Sequence, residues 1–556
     1  MNALQKFARR LSSFSAALLL PSSAAIVSAQ SEDESQKWTP FDGAAGDHFG
    51  YKVAISGETA IVGAYRDSDL IHEAGAAYLY NARTGFELMQ LYASDYSYND
   101  RFGAGVAINE SYAIVGCIND DDNGLQSGSA YIFDTATGVE LGKLRPLDGS
   151  ADENFGTRLA ISGTTVVGGL SSDDDNGLLS GSAYLFDAST GSQIAKLLPS
   201  DGGANQDYFG ISVAIDGDLV IVGAFRDDDN GSDSGSAYLF DTTTGAELAK
   251  LLPDDGDASD NFGVSVGISG DTVIVGARGD QLSGTSLNSG SAYIFDVSDP
   301  LAPVQTHKLF PDDGSPATLF GNSVAISGEI AVISRPYDSF TAGDAGSAYL
   351  YNTTNGAQIT KLFASDGAYS DRLGLSVAIS NNTALLGAFD DDDNGDESGS
   401  TYLFDFSPGV TSCFGAALQC PCGNTGSPED GCANSTGSGA HLSAFGANSV
   451  SANLLTLEAN HLPLGPGLYF QGENAINGGQ GSYFGDGLRC AGGSVIRLEV
   501  QFSSGGRSNT TVSIVTKGGV VAGQTKRYQL WYRDPNSSPC GSSFNLTNGY
   551  EVTWIP

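Results

Sequence analysis

At 556 residues the chain is too long for one compact domain. Length alone suggests two to four domains, unless a repeat adds core unit by unit. A formal net charge of −39, from 26 Lys and Arg against 65 Asp and Glu, excludes nucleic-acid phosphates and anionic membranes as natural partners; it favours cations, basic partners or a salty exterior. Aromatics at 10% and 74 glycines exclude a disordered chain and point to short strands joined by Gly/Asp/Asn turns.

The first 29 residues read as an export signal. Lys6, Arg9 and Arg10 form a basic segment, Phe14 to Val27 is a short apolar stretch, and Val27-Ser28-Ala29 resembles a cleavage site. Arg9-Arg10 also fits the start of a twin-arginine signal, although Leu11-Ser12-Ser13 suits it poorly. No later stretch is long and apolar enough to span a bilayer as a helix.

From residue 30 to residue 406 one unit recurs. Its anchor is Phe-Gly at Phe49, Phe102, Phe155, Phe209, Phe262 and Phe320, with Leu373-Gly374 as the seventh. The period of roughly 53 residues is that of a propeller or solenoid. In the fourth unit Gly210 to Ile215, Leu219 to Gly223, Ser236 to Asp241 and Ala246 to Leu252 read as four strands, the content of one propeller blade. The second of them is apolar throughout, as a strand packed on both faces should be. The innermost carries small residues, Gly210, Ser212 and Ala214.

The fourth strand is an exposed edge and carries edge-protecting residues. Lys143, Lys196, Lys250, Lys308 and Lys361 recur there, and Pro146, Pro199, Pro253 and Pro311 follow. The same signature precedes the first anchor as Lys37-Trp38-Thr39-Pro40, whereas nothing like it follows Thr401 to Phe406. Residues 36–41 are therefore expected to supply the outer strand of the last blade, closing the ring with the N-terminus. A closed ring needs no second copy, so a monomeric propeller is expected.

Phe-Gly-x-Ser-Val-Ala, then Val-Gly-Ala, then Gly-Ser-Ala-Tyr-Leu-Phe resembles the FG-GAP repeat, which builds the integrin α-subunit propeller and many secreted bacterial proteins. The resemblance covers about residues 36–406. It implies an all-β fold, a seven-bladed β-propeller, and does not fix function. Family members often bind calcium in a D-x-D-x-D-G-x-x-D loop between the first and second strands. Here that connection is a short turn, such as Asp216-Gly217-Asp218, and the Asp-rich loop lies between the second and third strands.

That loop places Asp67 and Asp69, Asp120 and Asp122, Asp173 and Asp175, Asp227 and Asp229, and Asp391 and Asp393 at matching positions, with Asp280 and Asp338 alone in units five and six. The loop between units is acidic too, with Asp148, Asp201, Asp255, Asp313 and Asp366, and Asp47, Asp100, Glu153, Asp207, Asp260 and Asp371 just before the anchor. Both loops belong to one end of an up-and-down blade, so one face should carry a crown of carboxylates. Two readings stand: calcium sites, because calcium takes six to eight oxygens, or repeated turns capped by Asp on a solvated face.

No catalytic constellation stands out. His48, His72, His307, His441 and His461 share no motif. Gly263-Val264-Ser265-Val266-Gly267 matches G-x-S-x-G, but Ser265 holds the inner-strand position of Ser212, Ser323 and Ser376 rather than a strand-to-helix elbow. Cys117 stands where other units have Ala or Gly and reads as a buried structural thiol.

From about residue 409 to 556 the repeat stops and Cys413, Cys420, Cys422, Cys432, Cys490 and Cys540 appear. In an exported chain these read as disulfides. Zinc is the alternative, and the C-P-C at Cys420 to Cys422 lacks the usual ligand spacing. Val495 to Phe502, Thr510 to Val515, Arg527 to Tyr532 and Tyr550 to Ile555 read as strands of a disulfide-containing β-sandwich or jelly roll. Trp531, Tyr532 and Trp554 are core aromatics or a sugar-stacking platform.

These readings add up to an exported, non-catalytic binding or adhesion protein. Its acidic propeller face would meet an extracellular protein or glycan, with calcium as the possible cofactor. A polysaccharide-active enzyme using face carboxylates and a passive envelope component are the rivals.

Overall fold

The computed structural model describes residues 30–32, 34–202, 206–281, 289–313, 318–414, 420–426, 430–446, 448, 450, 453, 455–534 and 539–555. The export signal read at residues 1–29 lies outside them.

Seven antiparallel sheets follow one another along the chain, one for each repeat. In the fourth the strands are Ser212–Asp216, Leu219–Ala224, Ser236–Asp241 and Glu247–Leu251, paired in that order. The second strand is Val- and Ile-rich and buried almost throughout, because neighbouring blades cover both its faces. The fourth is buried only at its last residue.

The Phe-Gly anchor explains how blades stack. Each anchor side chain, Leu373 included, is fully buried. Phe209 meets Tyr238 and Phe240 edge-on at centroid distances of 5.4 and 5.8 Å, the favoured aromatic geometry, and the same trio recurs in other blades. The glycine allows close approach. Gly50 has φ +88°, and a Cβ there would lie 2.4 Å from the Ser400 carbonyl oxygen of the last blade. No side chain fits that gap.

Blade seven takes its outer strand from the other end of the chain. Gln36–Trp38 pairs antiparallel with Ser400–Asp405, with Lys37 opposite Tyr402 and Trp38 opposite Thr401. Trp38 is buried and stacks on Tyr80 of blade one at 4.9 Å. Upstream, Gln30–Glu32 adds a parallel fifth strand to blade six.

After the propeller, two sheets face a common core. One orders Val410–Ser412, Gly549–Thr553, Thr525–Arg533, Pro466–Gly472 and Ile496–Phe502; the other holds His441–Phe445, Thr456–Asn460 and Ser508–Asn509. Leu442 and Leu457 pack with Tyr469, Tyr528, Leu530 and Trp554 between them, so the domain is a β-sandwich. The six cysteines form three disulfides, Cys413–Cys490, Cys420–Cys432 and Cys422–Cys540.

One expected strand is absent. Thr510 to Val515 does not extend: the Thr511 amide and hydroxyl donate to Glu499, and the Ser513 hydroxyl accepts from the Thr516 amide to open a short helix, Ile514–Gly518. A local cap outweighs the β-propensity of the run. Trp554 and Tyr532 are core residues, with Trp554 Nε1 donating to Tyr528 at 3.0 Å. Trp531 is half-buried against Phe544.

The sandwich docks on the end of the propeller that carries the first-to-second-strand turns. Asn382, in that turn of blade seven, donates to the Ala444 carbonyl at 2.6 Å, and Arg507 pairs with Glu110 in the turn of blade two. The opposite end carries the acidic loops.

Candidate functional site

Each acidic loop is set by its own turn. The Asp229 amide donates to Asp227 Oδ1 at 3.2 Å, and Asp69, Asp122, Asp175 and Asp393 repeat this with Asp67, Asp120, Asp173 and Asp391. The first aspartate of each pair therefore caps a turn with one oxygen. Its second oxygen points inward and accepts from the third-strand tyrosine: Tyr238 to Asp227 at 2.6 Å, Tyr131 to Asp120 at 2.8 Å, Tyr402 to Asp391 at 2.7 Å.

What faces that second oxygen is a lysine. Lys250 sits directly opposite Tyr238 in the sheet register. Its ammonium lies 2.7 Å from Asp201, 2.8 Å from Asp227 and 2.7 Å from Asp229. Lys143 holds Asp95, Asp120 and Asp122 at 3.1, 2.5 and 2.7 Å, and Lys196 holds Asp148, Asp173 and Asp175 at 2.9, 2.8 and 2.6 Å. Lys308 pairs with Asp255 and Asp280, and Lys361 with Asp313 and Asp338. In blade seven the lysine is Lys37, paired with Asp366, Asp391 and Asp393.

The recurring lysines are thus not edge guards. They turn in from the outer strand and fill the carboxylate cluster with a cation. Burial pulls the Lys37, Lys143, Lys196 and Lys250 ammonium groups down, but the carboxylates around them outweigh it and hold them charged. Burial likewise pushes Asp173, Asp227 and Asp366 up, and the lysine and hydroxyl partners hold them below the ordinary carboxylate range. Two clusters, Asp95 with Asp120 and Asp122 and Asp201 with Asp227 and Asp229, bring their oxygens within 4.8 Å of one another, close enough to share a metal ion; each already surrounds an ammonium.

Blade one differs. Asp67 and Asp69 occupy the usual loop, and Asp42 the usual linker position. The residue opposite Tyr78 is Gln90, whose amide donates to the Tyr78 hydroxyl at 2.8 Å. Tyr78 in turn donates to Asp67 at 2.7 Å, with Asp42 at 3.2 Å. With no ammonium present, burial and the neighbouring carboxylates push Asp69 up to about 6 and raise Asp67.

The acids just before the anchor play another role. Asp47, Asp100, Asp260 and Asp371 are buried and accept from the backbone amide three residues earlier, at 2.5 to 2.7 Å. They cap the linker between blades. Burial first, with neighbouring carboxylates adding to it, pushes each up to about 6.

Elsewhere, Ser265 donates to the Gly321 carbonyl at 2.8 Å, tying adjacent blades. Cys117 is free, buried and bonded to the Asp100 carbonyl, and burial pushes its thiol up. Sequence reasoning missed Asp42 and Asp95. It also treated the lysines and aspartates separately; their shared repeat, broken at Gln90, was the available signal.

Seven segments, residues 32–80, 86–133, 139–186, 192–240, 246–295, 303–351 and 357–404, match the family described as FG-GAP repeat. Each matched segment begins ahead of a blade's first strand, so the first of them includes the strand that completes blade seven. Among curated proteins nothing matches the chain.

Proposed function

The chain belongs to the FG-GAP repeat family, and on that premise we propose that it is an exported, non-catalytic binding protein whose carboxylate-crowned propeller face meets an extracellular protein or glycan. The observation that carries this reading is the crown itself. One end of the ring carries the same Asp-capped turn in blades one to four and seven, with Asp280 and Asp338 at the matching position of blades five and six, and the sandwich docks on the other end, leaving the crown exposed. Six of the clusters commit their carboxylates to a lysine, which makes them a fixed surface rather than a supply of catalytic acids and bases. Three disulfides and the N-terminal signal pattern support export to an oxidising compartment.

Calcium enters this reading at blade one. Asp42, Asp67 and Asp69 hold the sequence positions whose counterparts surround an ammonium in the sister blades, with Tyr78 donating to both Asp42 and Asp67, and carboxylate oxygens of this kind suit a hard divalent cation. The reading is tested by presenting purified residues 30–556 to glycan and envelope preparations with calcium and with chelator. Saturable capture that survives mutation of every histidine supports a binding role. Turnover of a polysaccharide, or no capture at all, contradicts it.

A further inference from the structure

The axial channel carries charge of the opposite sign to the crown around it. At one position of the innermost strand four blades carry Ser212, Ser265, Ser323 or Ser376 and blade two carries Gly105. Blade one has Lys52 there, and blade three has Arg158, each opposite the second-strand glycine. Ser212 and Ser265 satisfy themselves on carbonyl oxygens of the next blade, Gly263 and Gly321, both at 2.8 Å. Arg158 Nε does the same to Ile211 at 2.6 Å.

Neither cation has a carboxylate partner among the described residues. Lys52 Nζ stands over the Tyr51 ring at 5.7 Å. Arg278, at the mouth, has the Asn322 side-chain oxygen at 3.2 Å and the Phe225 ring at 5.6 Å. Burial, and then the charge of Arg158, pulls both Lys52 and Arg278 below their ordinary range. Blades one, three and five are not neighbours, so these three groups meet only across the central channel. A recess of about 180 Å³ lies alongside Arg158, bordered by Asn154, Ser171 and Glu153. The Glu153 carboxylate is taken up by the Ser150 amide and hydroxyl, both at 2.7 Å.

Lys52 and Arg158 are partly buried, and like charges gathered around one channel without a counter-charge raise the free energy of the fold. Four sister blades fill this position with serine and one with glycine, so the repeat itself does not call for a charged side chain there. We propose that the channel is an anion-binding site in which Lys52 and Arg158 hold an oxyanion, the carboxylate or sulfate of an acidic saccharide entering from the crown side. Tyr51 and Tyr65, with centroids 4.3 Å apart, Phe389, 5.4 Å from Tyr51, and His48, stacked on Phe389 at 5.3 Å, form an aromatic rim at the mouth beside which the sugar would lie. The surrounding negative field disfavours a long polyanion and leaves a chain terminus as the group that fits.

This rests on reading the propeller as a binding module, and the test separates the two. Lys52→Ser and Arg158→Ser install the residue of the sister blades and leave the crown untouched. Thermal midpoints of wild type and both variants are compared in sodium sulfate and in sodium chloride of equal ionic strength, so that general salt effects cancel between proteins. The expected result is a sulfate-specific rise of about 2 °C in wild type, absent from both variants, and a uronate-terminated oligosaccharide that binds at least tenfold tighter than its neutral analogue. No sulfate effect in wild type, or an equal effect in all three proteins, overturns the site while leaving the crown reading standing. A sulfate effect with no preference for the uronate overturns the saccharide as its ligand.

Discussion

Lys37 Nζ lies 2.8 Å from Asp366 Oδ2, although the two residues stand 329 positions apart. The same contact in blade four, Lys250 to Asp201, spans 49 positions. The N-terminal strand therefore carries into blade seven the lysine that other blades supply from their own fourth strand, and there it meets the opposing Tyr402 and the linker Asp366. Ring closure reuses the repeat rather than adding a separate latch.

Closure should consequently depend on this strand. Trp38→Ala removes a buried side chain stacked on Tyr80 and is expected to cost about 3 kcal/mol. Lys37→Gln should cost less, because its carboxylates keep their tyrosine and turn contacts. Thermal midpoints of the two variants against wild type give the order directly.

Lys250→Gln recreates in blade four the arrangement of blade one. It leaves three clustered carboxylates facing one another without a counter-charge, and a loss of about 2 kcal/mol is expected. Calcium should restore part of that loss, since the vacated position then resembles the blade-one cluster. Denaturation of the variant with and without the ion measures both effects.

The pH dependence follows from two opposed sets of carboxyls. Asp47, Asp100, Asp260 and Asp371 rise from 3.8 to about 6 on folding. The folded state holds their protons more tightly, so their contribution is fully present below pH 3.8 and is lost as pH rises towards 6. Asp173, Asp227 and Asp366 lie below 3.8 when folded. Their contribution is present above 3.8 and is lost as pH falls through their lowered values. The net charge of −39 adds self-repulsion at neutral pH. The thermal midpoint is expected to peak at about pH 4 to 5 and to be lower at pH 7; a midpoint that climbs steadily to pH 7 would contradict this balance.

Reduction should separate the two domains. All three disulfides lie in the sandwich, and the Cys422–Cys540 bridge encloses 118 residues. Opening it should lower that domain's stability by about 4 kcal/mol. The propeller, with only the buried Cys117, should melt unchanged, which calorimetry with and without reductant would show as the shift of one transition alone.

The sequence made the ring legible because a period repeated seven times averages away local ambiguity. Phe-Gly marks the blade-to-blade contact, and an orphan Lys37-Trp38 motif before the first anchor marks a strand in need of a sheet. Thr510 to Val515 was misread because a serine cap and one glutamate decide it, and neither shows in a hydropathy pattern. The crown was half legible. Asp at fixed offsets located the loops, but pairing Lys250 with Asp227 requires knowing that the outer strand's lysine turns inward across Tyr238. Lys52 and Arg158 were hidden because an inner-strand position looks interchangeable until the blades converge on one axis.

The most direct test compares wild type with Gln90→Lys, which supplies blade one with the ammonium that its sisters possess. The thermal midpoint of each is measured with calcium and with chelator. The account predicts that calcium raises the wild-type midpoint, and that Gln90→Lys starts higher in chelator and no longer responds. A wild type indifferent to calcium, or a Gln90→Lys variant that responds as strongly as wild type, would contradict it.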